Sequence, residues 1–189
     1  MLKSLGAKAA IIPCPVLIIG TYDEAGVPDA MNVAWGGQCG PKHVALNLSQ
    51  HKTTENMAAK GCFTVAIADA ANIAAADYVG IVSGAKVPDK IAKSGLSAVP
   101  AEKIDAPVFT EFPITMECVI VSSETDPATG ELRVVGEIVN TQVDEKFVTT
   151  DGKVDAGGIE VLAFYGTDRG YYKVSGYAGQ AWGEGKALM

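Results

Sequence analysis

The chain has 189 residues, of which 48% are hydrophobic and 20% are charged, and its net charge is −7. This length suits one domain with its own hydrophobic core, and the composition is that of an ordinary folded protein. Because 22 acidic residues outnumber 15 basic ones and the lysines are scattered, neither nucleic acid nor an anionic membrane surface is indicated as a partner. An anionic ligand would have to be held by a few well-placed groups.

Cysteines and histidines give no indication of a metal centre. The cysteines are spread along the chain, more than twenty residues apart, at Cys14, Cys39, Cys62 and Cys118. No CxxC pair is therefore present, and neither histidine has a cysteine beside it at the spacing of metal ligands. Thiols in this arrangement are typical of small, partly buried side chains in a reducing cytoplasm.

The apolar stretch 9–20 resembles a short signal peptide, because Lys3 and Lys8 precede it. However, Pro13 and Pro15 interrupt the stretch, no small-residue cleavage site follows it, and it is too short to span a bilayer. We therefore expect a cytoplasmic protein with no metal, no nucleic acid and no membrane among its partners.

The first half of the chain alternates apolar runs with turn residues. The predicted elements are, in order, a buried strand over 16–22, a turn over 23–28, a strand over about 30–34 that ends at Gly36-Gly37, a strand over 44–48, a helix over 53–60 closed by Gly61, and a strand over 63–68. Because strand follows strand through short turns, this pattern favours an antiparallel sheet or barrel over alternating βα units.

The second half contains two short helices and then returns to strands. The predicted elements are a helix from Asn72 to near Ser83-Gly84, a helix over 89–93 stopped by Gly95, a long hairpin of 114–121 and 132–143 around the turn 126–130, and strands over 161–165 and 171–174. About seven strands and three small helices, with no visible linker or repeat, predict a mainly β fold: a β-barrel with small helices, as one domain over residues 1–189.

Several well-known catalytic motifs are missing from the sequence. There is no GxGxxG, no GxxxxGK[ST] and no GxSxG, which argues against a nucleotide-binding βαβ unit, a P-loop and a serine-hydrolase elbow. The carboxylates are scattered, so a glycosidase-like pair cannot be singled out. No catalytic residue is therefore predicted, and an enzyme of this sequence would take its reactivity from a bound cofactor.

Three loops combine features that suit a ligand with an anionic group. In the loop 31–37, small residues surround Trp35, and the backbone can approach a flat ligand closely. In the loop 49–54, hydroxyls and the Lys52 ammonium stand at a helix start, where free N–H groups favour a phosphate. The loop 83–90 again combines a hydroxyl, a glycine, lysines and a helix start. Each loop also has an ordinary alternative: a rim tryptophan, helix capping and a solvated turn.

The order and spacing of several short motifs resemble the flavin reductase-like family, and within it the flavoredoxin-type proteins. The motifs that carry the resemblance are Pro15-Val16 with 18–23, then 32–37, His51-Lys52-Thr53 with Glu55-Asn56, 76–80, Ser83-Gly84 leading to Asp89-Lys90, and 135–139. The resemblance implies a split β-barrel of the FMN-binding type, antiparallel and Greek-key-like. It also implies a homodimer with flavin near the subunit interface.

The same resemblance implies roles for individual residues in holding FMN. Asn32, Val33, Ala34 and Trp35 would line the isoalloxazine ring, Ser49 and Gln50 would lie by the ribityl chain or ring edge, Lys52 and Thr53 would hold the phosphate, and Ser83 and Lys90 would close over it. Some family members carry an arginine or another hydroxyl pattern in the phosphate loop. The division of contacts between Gln50 and Lys52 therefore stays open.

For function, the resemblance favours an NAD(P)H-dependent flavin oxidoreductase, in which NADH or NADPH stacks on FMN and passes hydride to it. One alternative is a flavoredoxin-type electron carrier that holds FMN and serves a redox partner protein. Another is a binding module that has lost redox chemistry. Tyr171-Tyr172 and 176–179 could shape a nicotinamide pocket, or pack at a barrel rim or dimer interface.

Overall fold

The computed structural model describes residues 1–174 and 176–189. Over these residues the chain forms twelve strands, many of them short, and three α-helices. The strands are β1 (Cys14–Pro15), β2 (Leu17–Tyr22), β3 (Pro28–Val33), β4 (Gly36–Gly40), β5 (His43–Leu48), β6 (Cys62–Ile67), β7 (Ala98–Pro100), β8 (Pro107–Phe109), β9 (Ile114–Thr125), β10 (Leu132–Val143), β11 (Leu162–Tyr165) and β12 (Gly170–Lys173). The helices are α1 (Lys52–Lys60), α2 (Ile73–Ile81) and α3 (Lys90–Ser94), and 3₁₀ turns cover Ala70–Asn72, Glu145–Phe147 and Glu184–Leu188.

Seven of the strands form one antiparallel sheet, in the order β3-β2-β6-β9-β10-β5-β4. Side chains from these strands and from helix α1 meet in a first hydrophobic core, which contains Leu17, Ile19, Val33, Val44, Leu46, Leu48, Met57, Phe63, Val65, Cys118 and Val134. Because side chains alternate between the two faces of a strand, the strands that supply this core also present a second face. The mainly β, antiparallel fold predicted from the sequence is confirmed.

The second face of the sheet is covered by helices α2 and α3 and by strands of the smaller sheets. Ile18 of β2 and Ala66 of β6 point to this side and are buried there with Val79 of α2, Ile91 of α3 and Phe109 of β8. The apolar run 17–19 thus serves both cores, because its middle residue faces away from its neighbours. The smaller sheets have the orders β1-β11-β12 and β7-β8.

A buried carboxylate fixes the loop 101–106, which joins β7 to β8. Glu117 of β9 is fully buried and accepts hydrogen bonds from the backbone N–H groups of Glu102 (3.3 Å) and Lys103 (2.7 Å). The amides of Asn140 (2.7 Å) and Gln142 (2.8 Å), both on β10, donate to the same carboxylate. Four donors therefore satisfy Glu117, and the loop is tied to the outer face of the long hairpin.

The prediction that Gly36 and Gly37 end the second strand is wrong. Strand β3 ends at Val33, and the two glycines begin strand β4, which pairs with β5. The reason is close packing, because a Cβ on Gly36 would lie 2.6 Å from Cδ2 of Leu46. A glycine lets β4 pass close to this core side chain. A prediction based on turn propensity overlooks this use of glycine within strands.

The remaining predicted elements agree with the structure within a few residues, but the strand count was too low. Strands β1, β4, β7 and β8 have only two to five residues, too few to show a period-two pattern. The second helix was predicted to start at Asn72, whereas α2 starts at Ile73 after a 3₁₀ turn that Asp69 caps. Among the described residues, none of the helices is both long and apolar enough to cross a membrane.

Candidate functional site

A groove runs past the carboxyl end of strand β3, where four neighbouring cavities share lining residues within the described part of the chain. Asn32 lines three of them, with volumes of about 210, 220 and 200 Å³. Ala34 and Phe164 connect two of these to a larger cavity of about 1170 Å³. We call the 210 Å³ cavity at one end the polar pocket and the 1170 Å³ cavity at the other end the aromatic cavity.

The polar pocket brings together four residues that the sequence placed near a phosphate. Lys52, Thr53, Ser83 and Lys90 all line it, and so do Asp29, Met31, Asn32, His51, Val79, Gly80, Ile81, Val82 and Gly84. Segments far apart in sequence therefore meet here, namely the start of α1, the end of α2 and the start of α3. The three loops singled out from the sequence do lie around one groove.

The start of helix α1 faces the polar pocket. Lys52 and Thr53 are its first two residues, and their backbone N–H groups have no acceptor within the helix because of their position. The Thr54 hydroxyl accepts a hydrogen bond from the His51 N–H (2.9 Å) and donates one to the His51 carbonyl (2.8 Å), which fixes the entry into the helix. The positive end of the helix dipole is thereby presented to the pocket.

A buried ion pair forms the inner wall of the polar pocket. Lys90 is 4% exposed and Asp29 is 2% exposed, and their Nζ and Oδ1 atoms are 3.3 Å apart. The Thr53 hydroxyl donates to the other oxygen of Asp29 at 2.8 Å, and Lys90 also donates to the Ala30 carbonyl. Burial lowers the pKa of Lys90 while Asp29 opposes that shift. The charge of Lys90 is thus already balanced by a carboxylate that sequence reasoning did not single out.

The outer cation of the polar pocket is Lys52. Its Nζ lies 3.1 Å from Oδ2 of Asp23, and about a fifth of each side chain is exposed. Asp23 belongs to the turn between β2 and β3, where its Oδ1 accepts from the N–H groups of Ala25 (3.0 Å) and Val27 (2.8 Å). Lys52, unlike Lys90, is therefore at a partly exposed position from which it can reach a ligand.

Two glycines keep the walls of the groove close together. A Cβ on Gly84 would collide with the carboxylate of Asp29, and a Cβ on Gly80 would lie 2.9 Å from Cβ of Asn32. The segment from α2 to Ser83 can therefore lie directly against strand β3. A cradle of this kind suits a phosphate and the chain attached to it, because backbone can approach the ligand closely.

Asn32 is held in place by a network that the sequence did not reveal. Its Nδ2 donates to the Ala76 carbonyl at 3.0 Å and to the Tyr171 hydroxyl at 3.3 Å. The Tyr171 hydroxyl in turn donates to Oδ1 of Asp77 at 2.9 Å. Burial, with a further contribution from Asp77, raises the pKa of Tyr171 to about 12, so the phenol stays protonated. This orientation leaves the amide oxygen of Asn32 available to the groove.

The aromatic cavity offers a wide, largely apolar wall. Trp35, with 62% of its surface exposed, lies along it together with Phe164 and Tyr171, and the rings of the last two are 6.0 Å apart. Arg169 also lines this cavity and is the one cationic residue among the lining residues that the structure describes. It lies on a turn, where its φ is 58°. A flat aromatic ligand fits such a wall, because stacking and apolar contacts need no exact hydrogen-bond pattern.

The other residues chosen from the sequence take different positions. Val33, Ala34, Trp35 and Ser49 line the 200 Å³ cavity between the polar pocket and the aromatic cavity. Gln50 is exposed and lines none of the four cavities described above. The structure therefore brings nine of the ten residues to the groove, and Gln50 is the one that does not line it. Asp29 lies on the same strand as Asn32, and a charged residue on a strand that is mostly buried was the sequence signal for the missed carboxylate.

Comparison with known proteins assigns the family. The sequence model of the flavin reductase like domain matches residues 9–171, and the chain belongs to the flavin reductase-like family. A crystal structure of flavoredoxin from Methanosarcina acetivorans is 26% identical, with a TM-score of 0.89 and 100% of both chains covered. Flavoredoxin of Desulfovibrio vulgaris (Miyazaki F) is 34% identical, with a TM-score of 0.91; 98% of this chain and 100% of that chain are covered.

More distant structures share the fold. A protein from Shewanella frigidimarina NCIMB 400 that has a split barrel domain is 23% identical, with a TM-score of 0.78; 89% of this chain and 86% of that chain are covered. The split-barrel architecture that the family resemblance implied is therefore confirmed. None of the curated proteins compared with the chain matches it.

Proposed function

We propose that this protein binds FMN along the groove and acts as an NAD(P)H-dependent flavin oxidoreductase. The observation that carries the proposal is that the two ends of the groove differ in chemical character. One end has a helix start and the partly exposed Lys52, and the other has a broad aromatic wall. FMN has the same division, with a terminal phosphate at one end and a flat ring at the other. Membership of the flavin reductase-like family supports the same ligand.

In this proposal the polar pocket takes the phosphate. Lys52 supplies an ammonium, the helix start supplies the backbone N–H groups of Lys52 and Thr53, and Ser83 supplies a hydroxyl; such donors suit a phosphate at a helix start. The Thr53 hydroxyl itself is already used by Asp29. Lys90 contributes less directly, because Asp29 already neutralises it. Its role is to hold the wall of the pocket in place.

The segment from Asn32 to Trp35 lines the position proposed for the isoalloxazine ring. Asn32 presents its amide oxygen, since Ala76 and Tyr171 accept from its Nδ2. When bound, FMN supplies the hydride-accepting ring, so the protein's task is to bind, orient and exclude water. Ser49, which lines the 200 Å³ cavity, and Gln50 directly after it are proposed to lie by the ribityl chain or the ring edge. The aromatic cavity beyond Trp35 is proposed to receive the nicotinamide of NADH or NADPH.

The phosphate assignment predicts the effect of Lys52→Ala. A charge-assisted hydrogen bond is worth about 1.5–3 kcal/mol, so FMN affinity should decrease roughly tenfold to a hundredfold. Affinity for riboflavin, which lacks the phosphate, should change little. Isothermal titration of both ligands measures the two affinities.

Lys60→Ala is the matched control for this experiment. Lys60 ends the same helix and pairs with Asp105 at 2.7 Å, far along the helix from the polar pocket, and its removal should leave both affinities unchanged. Equal weakening of FMN and riboflavin by Lys52→Ala would show damage to the whole loop. Unchanged FMN binding would refute the role of Lys52.

A second candidate function is that of an electron carrier. The likeness to two structures described as flavoredoxins, at 34% and 26% identity, favours it. Such a protein would keep FMN bound and exchange electrons with a partner protein. Oxidation of NADH or NADPH by the purified protein, followed at 340 nm with and without free FMN, separates the two. Turnover that free FMN accelerates supports the oxidoreductase, and no turnover with either nucleotide supports the carrier.

We also propose that the protein is a homodimer in a reducing compartment such as the cytoplasm. Tyr177 and Trp182 are more than 80% exposed, and exposed aromatic surface of this kind is commonly covered in an assembly. The four cysteines are unpaired among the described residues, which fits a reducing environment. Sedimentation of the purified protein at micromolar concentration should give a dimer, and a single monomeric species would contradict this.

A further inference from the structure

The turn between β2 and β3 places a carboxylate against the cation of the polar pocket. Asp23 uses its two oxygens differently: Oδ1 accepts from the Ala25 and Val27 N–H groups and so shapes the turn. Oδ2 lies 3.1 Å from the Lys52 ammonium. The turn is also closed by backbone hydrogen bonds, between the Asp23 N–H and the Val27 carbonyl and between the Gly26 N–H and the Asp23 carbonyl. The charge of Asp23 is therefore not what forms the turn.

Charges around the polar pocket are balanced in the structure as it stands. Lys90 is paired with Asp29, and Lys52 is paired with Asp23. The two pairs differ in burial, because the inner pair is closed off from solvent while about a fifth of each outer side chain is exposed. Separating the outer pair therefore costs a ligand less than separating the inner pair, which is part of the wall.

We infer that Asp23 is a resident counter-ion that competes with the ligand's phosphate for Lys52, and that it thereby sets how strongly the site prefers a phosphorylated flavin. This inference rests on the proposed function, since it takes the ligand's phosphate to lie in the polar pocket. Asp23 is a specificity-determining residue that does not itself touch the flavin.

The sign of the effect follows from simple electrostatics. Hydrogen bonds from the Val27 N–H and from Lys52 lower the pKa of Asp23, so the carboxylate is ionised at neutral pH. A phosphate that approaches Lys52 must draw the ammonium away from this carboxylate and must also tolerate its negative charge nearby. Both costs weaken binding, so a neutral side chain at position 23 should strengthen it.

Asp23→Asn tests the inference, because the asparagine amide oxygen can still accept the two hydrogen bonds that shape the turn. At low ionic strength FMN should bind roughly three- to tenfold more tightly than to the wild type, and the gain should shrink in high salt. Riboflavin affinity should stay within about twofold, since no phosphate is present. Titration calorimetry with FMN and with riboflavin provides the measurement, and Asp23→Ser, also short and uncharged, should show the same direction.

Asp105→Asn is the matched control, because Asp105 pairs with Lys60 at the other end of helix α1. It should leave both affinities unchanged. When Lys52 is already replaced by Met, adding Asp23→Asn should raise FMN affinity by less than about twofold. If FMN affinity instead rises as much as it does when Lys52 is present, Asp23 does not act by competing for Lys52.

The inference and the proposed function fail in different ways. If the wild type prefers FMN over riboflavin in a Lys52-dependent manner, but Asp23→Asn leaves FMN affinity unchanged or weaker, the inference is wrong and the phosphate assignment stands. If the wild type shows no preference for FMN over riboflavin, the phosphate assignment is refuted and the inference with it.

Discussion

Asp29→Asn should decrease the free energy of unfolding by about 3–5 kcal/mol, as is typical when one partner of a buried ion pair is removed. Lys90 is 4% exposed and would keep its charge, or lose a proton, in a site with no counter-ion. The asparagine would also turn an amide N–H₂ toward either Lys90 or the Thr53 hydroxyl. Since small domains are stable by about 5–15 kcal/mol, this loss is a large fraction of the total. Urea unfolding of the wild type and the variant measures it.

Two further variants test the cause. Asp105→Asn removes an exposed partner of Lys60 and should cost less than about 1 kcal/mol. The double variant Asp29→Asn with Lys90→Met removes both charges and should be more stable than Asp29→Asn alone. A loss for Asp29→Asn as small as that for Asp105→Asn would contradict the role given to the buried pair.

Glu117→Ala should decrease the free energy of unfolding by at least about 3 kcal/mol, because each hydrogen bond to a charged group is worth about 1.5–3 kcal/mol and four are lost together. Two backbone N–H groups of the loop 101–106 and the amides of Asn140 and Gln142 would lose their acceptor. Glu160→Ala is the control, since Glu160 forms an exposed ion pair with Lys173. This substitution should change the free energy of unfolding by less than about 1 kcal/mol. Thermal and urea unfolding provide the measurement.

The pH dependence separates the charge of Glu117 from its packing. Burial raises the pKa of Glu117, but the four hydrogen bonds outweigh it, and the net effect lowers the pKa below the ordinary value of 4.5. A group with a lowered pKa contributes stability that is fully present above the unfolded-state pKa and is lost as the pH falls through the folded-state pKa.

Glu117→Gln keeps the volume and removes the charge. The stability difference between the wild type and this variant should therefore be constant near neutral pH and shrink as the pH falls below about 4.5. A difference that does not depend on pH would show that the carboxylate charge contributes nothing. Unfolding curves at a series of pH values decide between the two outcomes.

The candidate site was partly visible in the sequence. A helix start with Lys52 and Thr53, and a strand end at Asn32, are local patterns, and the structure places them along one groove. Lys90 was chosen by the same kind of pattern, but its charge is taken up by Asp29, 61 residues away. Tyr171 and Asp77, which are 94 residues apart, were not connected at all. Short motifs reveal donors, and they do not reveal which donors are already occupied.

The sequence by itself determined the strands and helices whose side chains follow a regular period. The alternation in 114–121 and the glycines that end α1 and α3, Gly61 and Gly95, at φ values of 69° and 80°, are local consequences of backbone geometry. Only the tertiary structure decided that Gly36 begins a strand, that Asp29 neutralises Lys90 and that Asp23 pairs with Lys52. These outcomes depend on which distant groups become neighbours, because packing and charge pairing act across space, whereas sequence patterns record only what is near along the chain.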